Sequence, residues 1–188
     1  MGILGILSAF GLSASAGLNA YIPLLVIALM ARFTNLIKLN SPWDTLTSWW
    51  IIGLLIFLSA IEFFADKIPI VNHINDIIQT FIRPTAGAIA FAASASVITN
   101  ISPVLALAMG LVMAGSVHVA KAAAIRPTVT ALTAGFGNIP VSMTEDVVST
   151  LVSILSVIVP ALGVCLLIII TAWVVWKIRN RSQVYKRA

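Results

Sequence analysis

The sequence predicts an all-α integral membrane protein with about five spanning segments, some of them broken at proline. Composition is the first observation. The 188 residues are 60% hydrophobic and only 9% charged, with a mean hydropathy of +1.08. A soluble domain carries about 25% charged residues. A chain this short cannot hide so much apolar surface in a core, so the excess must face lipid. The second observation is that long apolar runs alternate with short polar stretches marked by Trp and Pro. The third is charge placement. Before residue 177 the basic side chains (Arg32, Lys38, Lys67, Arg83, Lys121, Arg126) are matched by the acidic ones (Asp44, Glu62, Asp66, Asp76, Glu145, Asp146). The net charge of +5 therefore lies in Lys177, Arg179, Arg181, Lys186 and Arg187. Such a tail reads as a cytoplasmic stop behind a last spanning helix.

These features divide the chain into one membrane domain, 1–176, and a basic cytoplasmic tail, 177–188. The tail is too short for a nucleic-acid interface, and its role as a topology anchor explains it. Weak attraction to anionic lipid is an added expectation. The bilayer is the main partner, in the cytoplasmic (inner) membrane of a bacterium. Cys165, the lone cysteine, permits no internal disulfide or thiolate cluster and reads as lipid-facing or packed.

Residues 3–31 are apolar or small throughout. Ala14-Ser15-Ala16 looks like a signal-peptide cleavage site, but no Lys or Arg precedes the apolar run. The favoured reading is a first membrane segment interrupted near Gly17-Leu-Asn-Ala-Tyr-Ile-Pro23. Twenty-nine helical residues at about 1.5 Å each would overshoot a core of about 30 Å. Asn19 is placed to satisfy freed backbone groups or to touch a substrate. Residues 32–48 form a polar loop, with Trp43, Trp49 and Trp50 at the water interface. Residues 49–65 form the second spanning helix and deliver Glu62 and Asp66 at its far end.

A polar stretch follows, with a short helix over 75–82. Pro84 then suits the first position of the next helix. Small residues four apart (Ala86, Ala90, Ser94; Gly110, Ala114; Ser116, Ala120, Ala124) mark close-packing seams. Residues 99–103 read as a tight hairpin loop, and 103–125 as a helix carrying His118 and Lys121. Residues 128–144 are Thr- and Gly-rich. Ser142-Met-Thr-Glu145 has the spacing of a capping box opening the last helical stretch, which Pro160 should kink or split. A weak internal repeat accompanies these elements. Ile82-Arg83-Pro84-Thr85 recurs as Ile125-Arg126-Pro127-Thr128, and Pro69 before Asn75-Asp76 resembles Pro140 before Glu145-Asp146. The offsets disagree, so the pattern fits two related halves rather than a clean duplication.

The chain resembles a bacterial multi-pass membrane family known as domain of unknown function DUF4126. The resemblance rests on Gly17–Pro23, Glu62-Phe-Phe-Ala-Asp-Lys-Ile-Pro69, Arg83-Pro-Thr-Ala-Gly87, Lys121 with Arg126, Ser142-Met-Thr-Glu-Asp146 and Pro160, pieces that cover nearly the whole chain. The family pattern often has a basic residue where this chain has Asn19, so no charged role passes to that position. The resemblance implies a multi-pass membrane protein and transfers no activity.

Glu62 and Asp66 are four apart and share a helix face. A charge at the bilayer centre costs at least about 2.5 kcal/mol, so such groups pair or serve a function. Adjacent carboxylates repel unless one is protonated, a cation binds, or bases lie close. Three readings follow. One is an ion network that only fixes helix register. The second is a cation or proton pathway over Glu62, Asp66, Asp76, Glu145 and Asp146, with His73 or His118 as relay. The third is an anion or phosphate site formed by Arg83, Lys121 and Arg126. The sequence lacks a zinc-protease motif, a nucleophile elbow and a Walker loop. An enzyme using Glu62 or Asp66 as base on a lipid is the weaker alternative. The expectation is a transporter or channel for a small polar or ionic solute. Its site residues are Glu62, Asp66, Lys67, Arg83, His118, Lys121, Arg126, Glu145, Asp146 and Asn19, with no cofactor. A protein that binds or modifies an anionic lipid is the rival. Five spans place the N-terminus outside, Arg32 and Lys38 inside, and the Asp66–Arg83 stretch outside. So few spans suggest a homodimer enclosing the pathway.

Overall fold

A computed structural model describes residues 2–67, 69–95, 101–133 and 136–160, with 168–169 and 172–173 beyond them. Every regular element among the described residues is helical. The order is α1 (Gly2–Leu18), α2 (Tyr21–Phe33), a 3-10 turn (Trp43–Thr47), α3 (Trp49–Ala65), α4 (Pro69–Ala95), α5 (Pro103–Ala120), a π-helical turn (Lys121–Ile125), α6 (Arg126–Thr133) and α7 (Asn138–Ile158). The π turn joins α5 and α6 into one rod, Pro103–Thr133. This rod and α7 are long and apolar enough to cross a membrane.

Helix α1 is the hub, packed on α4, α5 and α7. Small residues permit this. A Cβ on Gly17 would collide with the Ala114 carbonyl and the Val117 side chain, and one on Gly110 with the Gly87 carbonyl. The seams through Ala86, Ala90 and Ser94 and through Gly110 and Ala114 are buried as expected, whereas Ser116, Ala120 and Ala124 face outward. The outer faces are apolar. On α3, Trp50, Leu54, Phe57, Ile61 and Phe64 recur every three or four residues and are all exposed. The interior holds Glu62, Arg83, Lys121 and a set of serines. Buried charged and hydroxyl groups thus share the interior with apolar clusters around Leu12, Ile27 and Phe91, while large apolar side chains also cover the outer faces.

The structure corrects several sequence expectations. The first segment does break, at Asn19–Ala20, but the chain turns back there. Phe10 of α1 stacks edge-on against Phe91, their centroids 5.0 Å apart. Trp43, beyond the end of α2, packs on the cluster holding Phe91, Ala92 and Ala95. So α2 returns toward the start of α1, and the two form an antiparallel hairpin rather than one interrupted span. The proline breaks are also misplaced. Pro23 sits in the first turn of α2, where its missing N–H costs nothing. Pro84 lies inside the continuous α4 and does not open a helix. Pro127 likewise sits in the unbroken α5–α6 rod, which runs to Thr133. The Ser142–Glu145 capping box is overturned too. Helix α7 begins at Asn138, and Ser142 is interior and fully buried. At Pro160 the expected break occurs, since α7 ends at Ile158. Cys165, residues 99–100 of the expected 99–103 loop and the 177–188 tail lie outside the described residues.

Candidate functional site

The site forms where α1 ends and α2 begins. A helix end leaves carbonyls unpaired and a helix start leaves N–H groups unpaired. At the turn these groups are buried, so side chains must satisfy them. Asn19 Oδ1 accepts from the N–H groups of Tyr21 (3.1 Å) and Ile22 (3.0 Å). Glu62, brought in by the last turn of α3, accepts from the Ala20 N–H at 3.1 Å. On the other side, Lys121 Nζ donates to the Leu18 carbonyl at 3.2 Å. The negative group thus caps a helix start and the positive group a helix end, as the peptide dipoles favour.

From there the charges form a chain. Arg83 of α4, fully buried, places Nη2 2.8 Å from Glu62 Oε1 and Nε 3.3 Å from the same oxygen. It also lies 3.6 Å from Asp66 Oδ2. Arg126 reaches Asp66 at 3.2 Å and Glu145 at 3.4 Å. Lys121 closes on Glu145 at 2.8 Å. At the more exposed edge, Lys67 meets Asp146 at 3.5 Å, and Asp146 Oδ1 accepts from Asn19 Nδ2 at 3.0 Å. The carboxylates Glu62, Asp66, Glu145 and Asp146 face the cations Lys67, Arg83, Lys121 and Arg126, and the cluster is neutral. Burial of such groups is tolerable only with this pairing.

All ten residues singled out by sequence are therefore brought together. His118 is held between Arg83 and Thr80. Arg83 Nη1 lies 3.4 Å from its Nδ1 and Thr80 Oγ1 3.1 Å from its Nε2. An arginine only donates. Nδ1 therefore accepts, Nε2 carries the proton, and the ring is neutral in this arrangement. Among the described residues no group of three or more His, Cys, Asp or Glu is placed to hold a metal. The side chains of His73 and Asp76 lie outside the described residues.

The repeated Ile-Arg-Pro-Thr phrase has a structural counterpart. Each copy lies within a continuous helix and sends its arginine to Asp66. Each threonine hydroxyl donates to the carbonyl four residues back, Thr85 to Phe81 and Thr128 to Ala124. The π turn sets the second copy. Residues five apart on an α-helix lie about 140° from one another. Here the Arg126 N–H bonds the Lys121 carbonyl, and this wider turn brings both cations to Glu145.

Sequence reading missed two supporting donors. Asn75 Nδ2 donates to Asp66 Oδ1 at 2.7 Å, and Ser142 Oγ to Asp66 Oδ2 at 3.4 Å. Asn75, Gln79 and Arg83 stand four apart on α4, and that spacing was available as a signal. Buried serines on α1 and α7 were missed as well.

The fold and site define a helical bundle built around a buried, neutral ion-pair network at a helix–helix turn. A family model described as "Domain of unknown function (DUF4126)" matches residues 6–180, and the chain belongs to that family. No curated protein and no solved structure matches it.

Proposed function

We propose that the chain is a multi-pass integral membrane protein that moves a small polar or ionic solute through the charged cluster. The observation that carries the reading is the α1–α2 turn. Backbone groups freed there are held by Glu62 and Lys121, side chains that a solute's own charges could replace. Discontinuous helices present such sites in transporters. The apolar outer faces support immersion in lipid. If Arg32 and Lys38 are cytoplasmic by the positive-inside rule, the hairpin supports a cytoplasmic start of α1 as well. This reading differs from the outside position given by five simple spans. The charged cluster then lies toward the opposite face. The bacterial inner membrane, the cytoplasmic tail and a homodimer remain part of the proposal.

A second reading has its own observation. Each charge in the cluster already faces an opposite one, as a purely structural network requires. A thermal-shift panel on detergent-purified protein separates the two. It holds divalent cations, monovalent cations, phosphate and a polyprenyl phosphate, with Glu62→Gln and Arg126→Gln variants alongside. A ligand of the folded state at 100 times its Kd stabilises by about 2.7 kcal/mol. The expected result is a rise in melting temperature with an ion, lost in one variant. Loss in Glu62→Gln indicates a cation, and loss of a phosphate or lipid effect in Arg126→Gln an anionic ligand. No rise with any of them favours the structural network.

A further inference from the structure

We propose that the solute held at the α1–α2 turn is a small α-amino acid in its zwitterionic form. The proposal rests on the transport reading above and names the solute of that same site.

Charge balance comes first. The cluster is neutral, and its charges already face opposite ones. A lone anion or cation would bring an unpaired charge into a buried site, which is costly. A zwitterion adds a positive and a negative group together and leaves the balance intact.

The turn offers a place for each group. Leu18 closes α1 and Ala20 precedes α2. In an antiparallel hairpin the last carbonyls of the first helix and the first N–H groups of the second both point out of the tip. The Ala20 N–H calls for a negative group and the Leu18 carbonyl for a positive one. These two groups belong to the peptide bonds that flank Asn19, and one residue spans at most about 3.6 Å. The solute's charges must be equally close, as they are when an ammonium and a carboxylate share one carbon.

Two side chains fill these places, and each can withdraw without stranding its charge. Glu62 bonds the Ala20 N–H most closely through Oε2, at 3.1 Å, and Arg83 through Oε1, at 2.8 Å. A solute carboxylate that takes the N–H leaves the Arg83 pair whole. Lys121 bonds the Leu18 carbonyl at 3.2 Å and Glu145 Oε2 at 2.8 Å. A solute ammonium on the carbonyl leaves the Glu145 pair whole. A separate observation marks the ammonium end. Glu145 is 8% exposed and its carboxylate faces Lys121, yet among the described residues its Oε1 has no hydrogen-bond partner. An ammonium carries three donors, enough for the Leu18 carbonyl and this oxygen together. Ala20 is fully buried, and a Cβ on Gly17 would collide with Ala114 and Val117, so the solute's side chain must be small. Entry lies at the more exposed Lys67–Asp146 edge, which Asn19 ties to the turn.

The test is scintillation-proximity binding to the full chain in detergent, with tritiated glycine, L-alanine and L-serine. Saturable binding of at least one is expected. Excess unlabelled amino acid should displace it. Acetate and methylammonium fill one end of the turn only, and 4-aminobutyrate holds its charges too far apart, so each should need at least a tenfold higher concentration. Glu62→Asp keeps the charge for Arg83 but is one methylene shorter, so it withdraws from the Ala20 N–H. With its competitor gone, the amino acid should half-saturate this variant at a concentration at least threefold lower. A folded Glu62→Asp that binds more weakly than wild type overturns the displacement. If that variant does not fold, the wild-type competition decides. No saturable binding of any of the three amino acids overturns the proposal, as does equal displacement by acetate, methylammonium or 4-aminobutyrate. In either case a response in the ion panel above keeps the ionic-solute reading alone, and a silent panel removes both.

Discussion

At the scale of single residues, Arg83 bears the heaviest electrostatic load. Its guanidinium is fully buried and touches Glu62, Asp66 and His118. Removing one partner of a buried pair leaves an uncompensated charge and costs about 3–5 kcal/mol. Arg83→Gln should therefore destabilise by about that amount, measured by unfolding in detergent. Glu62→Gln combined with Arg83→Gln should lose less than the two single losses added, with a coupling of about 0.5–3 kcal/mol. Strict additivity would mean that the contact carries no energy. The membership of this pair was legible in sequence, because charges in an apolar chain must find partners. The pairing was not. Arg83 could have met any of several carboxylates, and only the approach of α3 to α4 selects Glu62.

At the scale of elements, spacing rules succeeded on α3, where Glu62 and Asp66 share one face, and failed where a helix departs from regularity. Lys121 and Arg126 are five apart and on an ideal α-helix would point about 140° apart. The π turn is invisible in Ala-Ala-Ala, a sequence compatible with any helical winding. Pro84 has the spacing of a helix start, yet it lies inside α4, where neighbouring helices let an apolar bundle carry proline internally. Ser142 had capping spacing, but Asp66 needed a donor and drew it into the interior. The π turn makes a sharp prediction. Deleting Ala123 leaves Lys121 and Arg126 four apart on a regular α-helix, still on one face. That variant should keep both contacts with Glu145 and melt close to wild type. Inserting one alanine after Ala123 instead swings Arg126 by about 100°. It should cost about 3–5 kcal/mol by stranding Asp66 and Glu145. Equal melting temperatures for the two variants would show that the turn does not set the site.

At the scale of the whole molecule, composition announced the exposed apolar faces, because burial could not absorb so much hydrocarbon. The reversal at Asn19 was beyond it. Gly17 and Pro23 signal a break, yet its direction depends on Glu62, 42 residues from Ala20, and on Lys121, 103 residues from Leu18. Such distant contacts leave no local pattern. The reversal decides topology, and single cysteines in a Cys165→Ser background test it. Gly2→Cys, Asn35→Cys and Phe136→Cys can be labelled with an impermeant maleimide on sealed vesicles of known orientation. Asn35 lies in the loop after α2 and Phe136, exposed, between α6 and α7. The hairpin requires Gly2 and Asn35 to react from the same face, which the proposed topology makes the cytoplasmic one, and Phe136 from the other. An interrupted single span would put Gly2 and Asn35 on opposite faces. In that arrangement Trp43 could not lie beside Phe91, so the labelling pattern judges the hairpin and the charged cluster at its tip together.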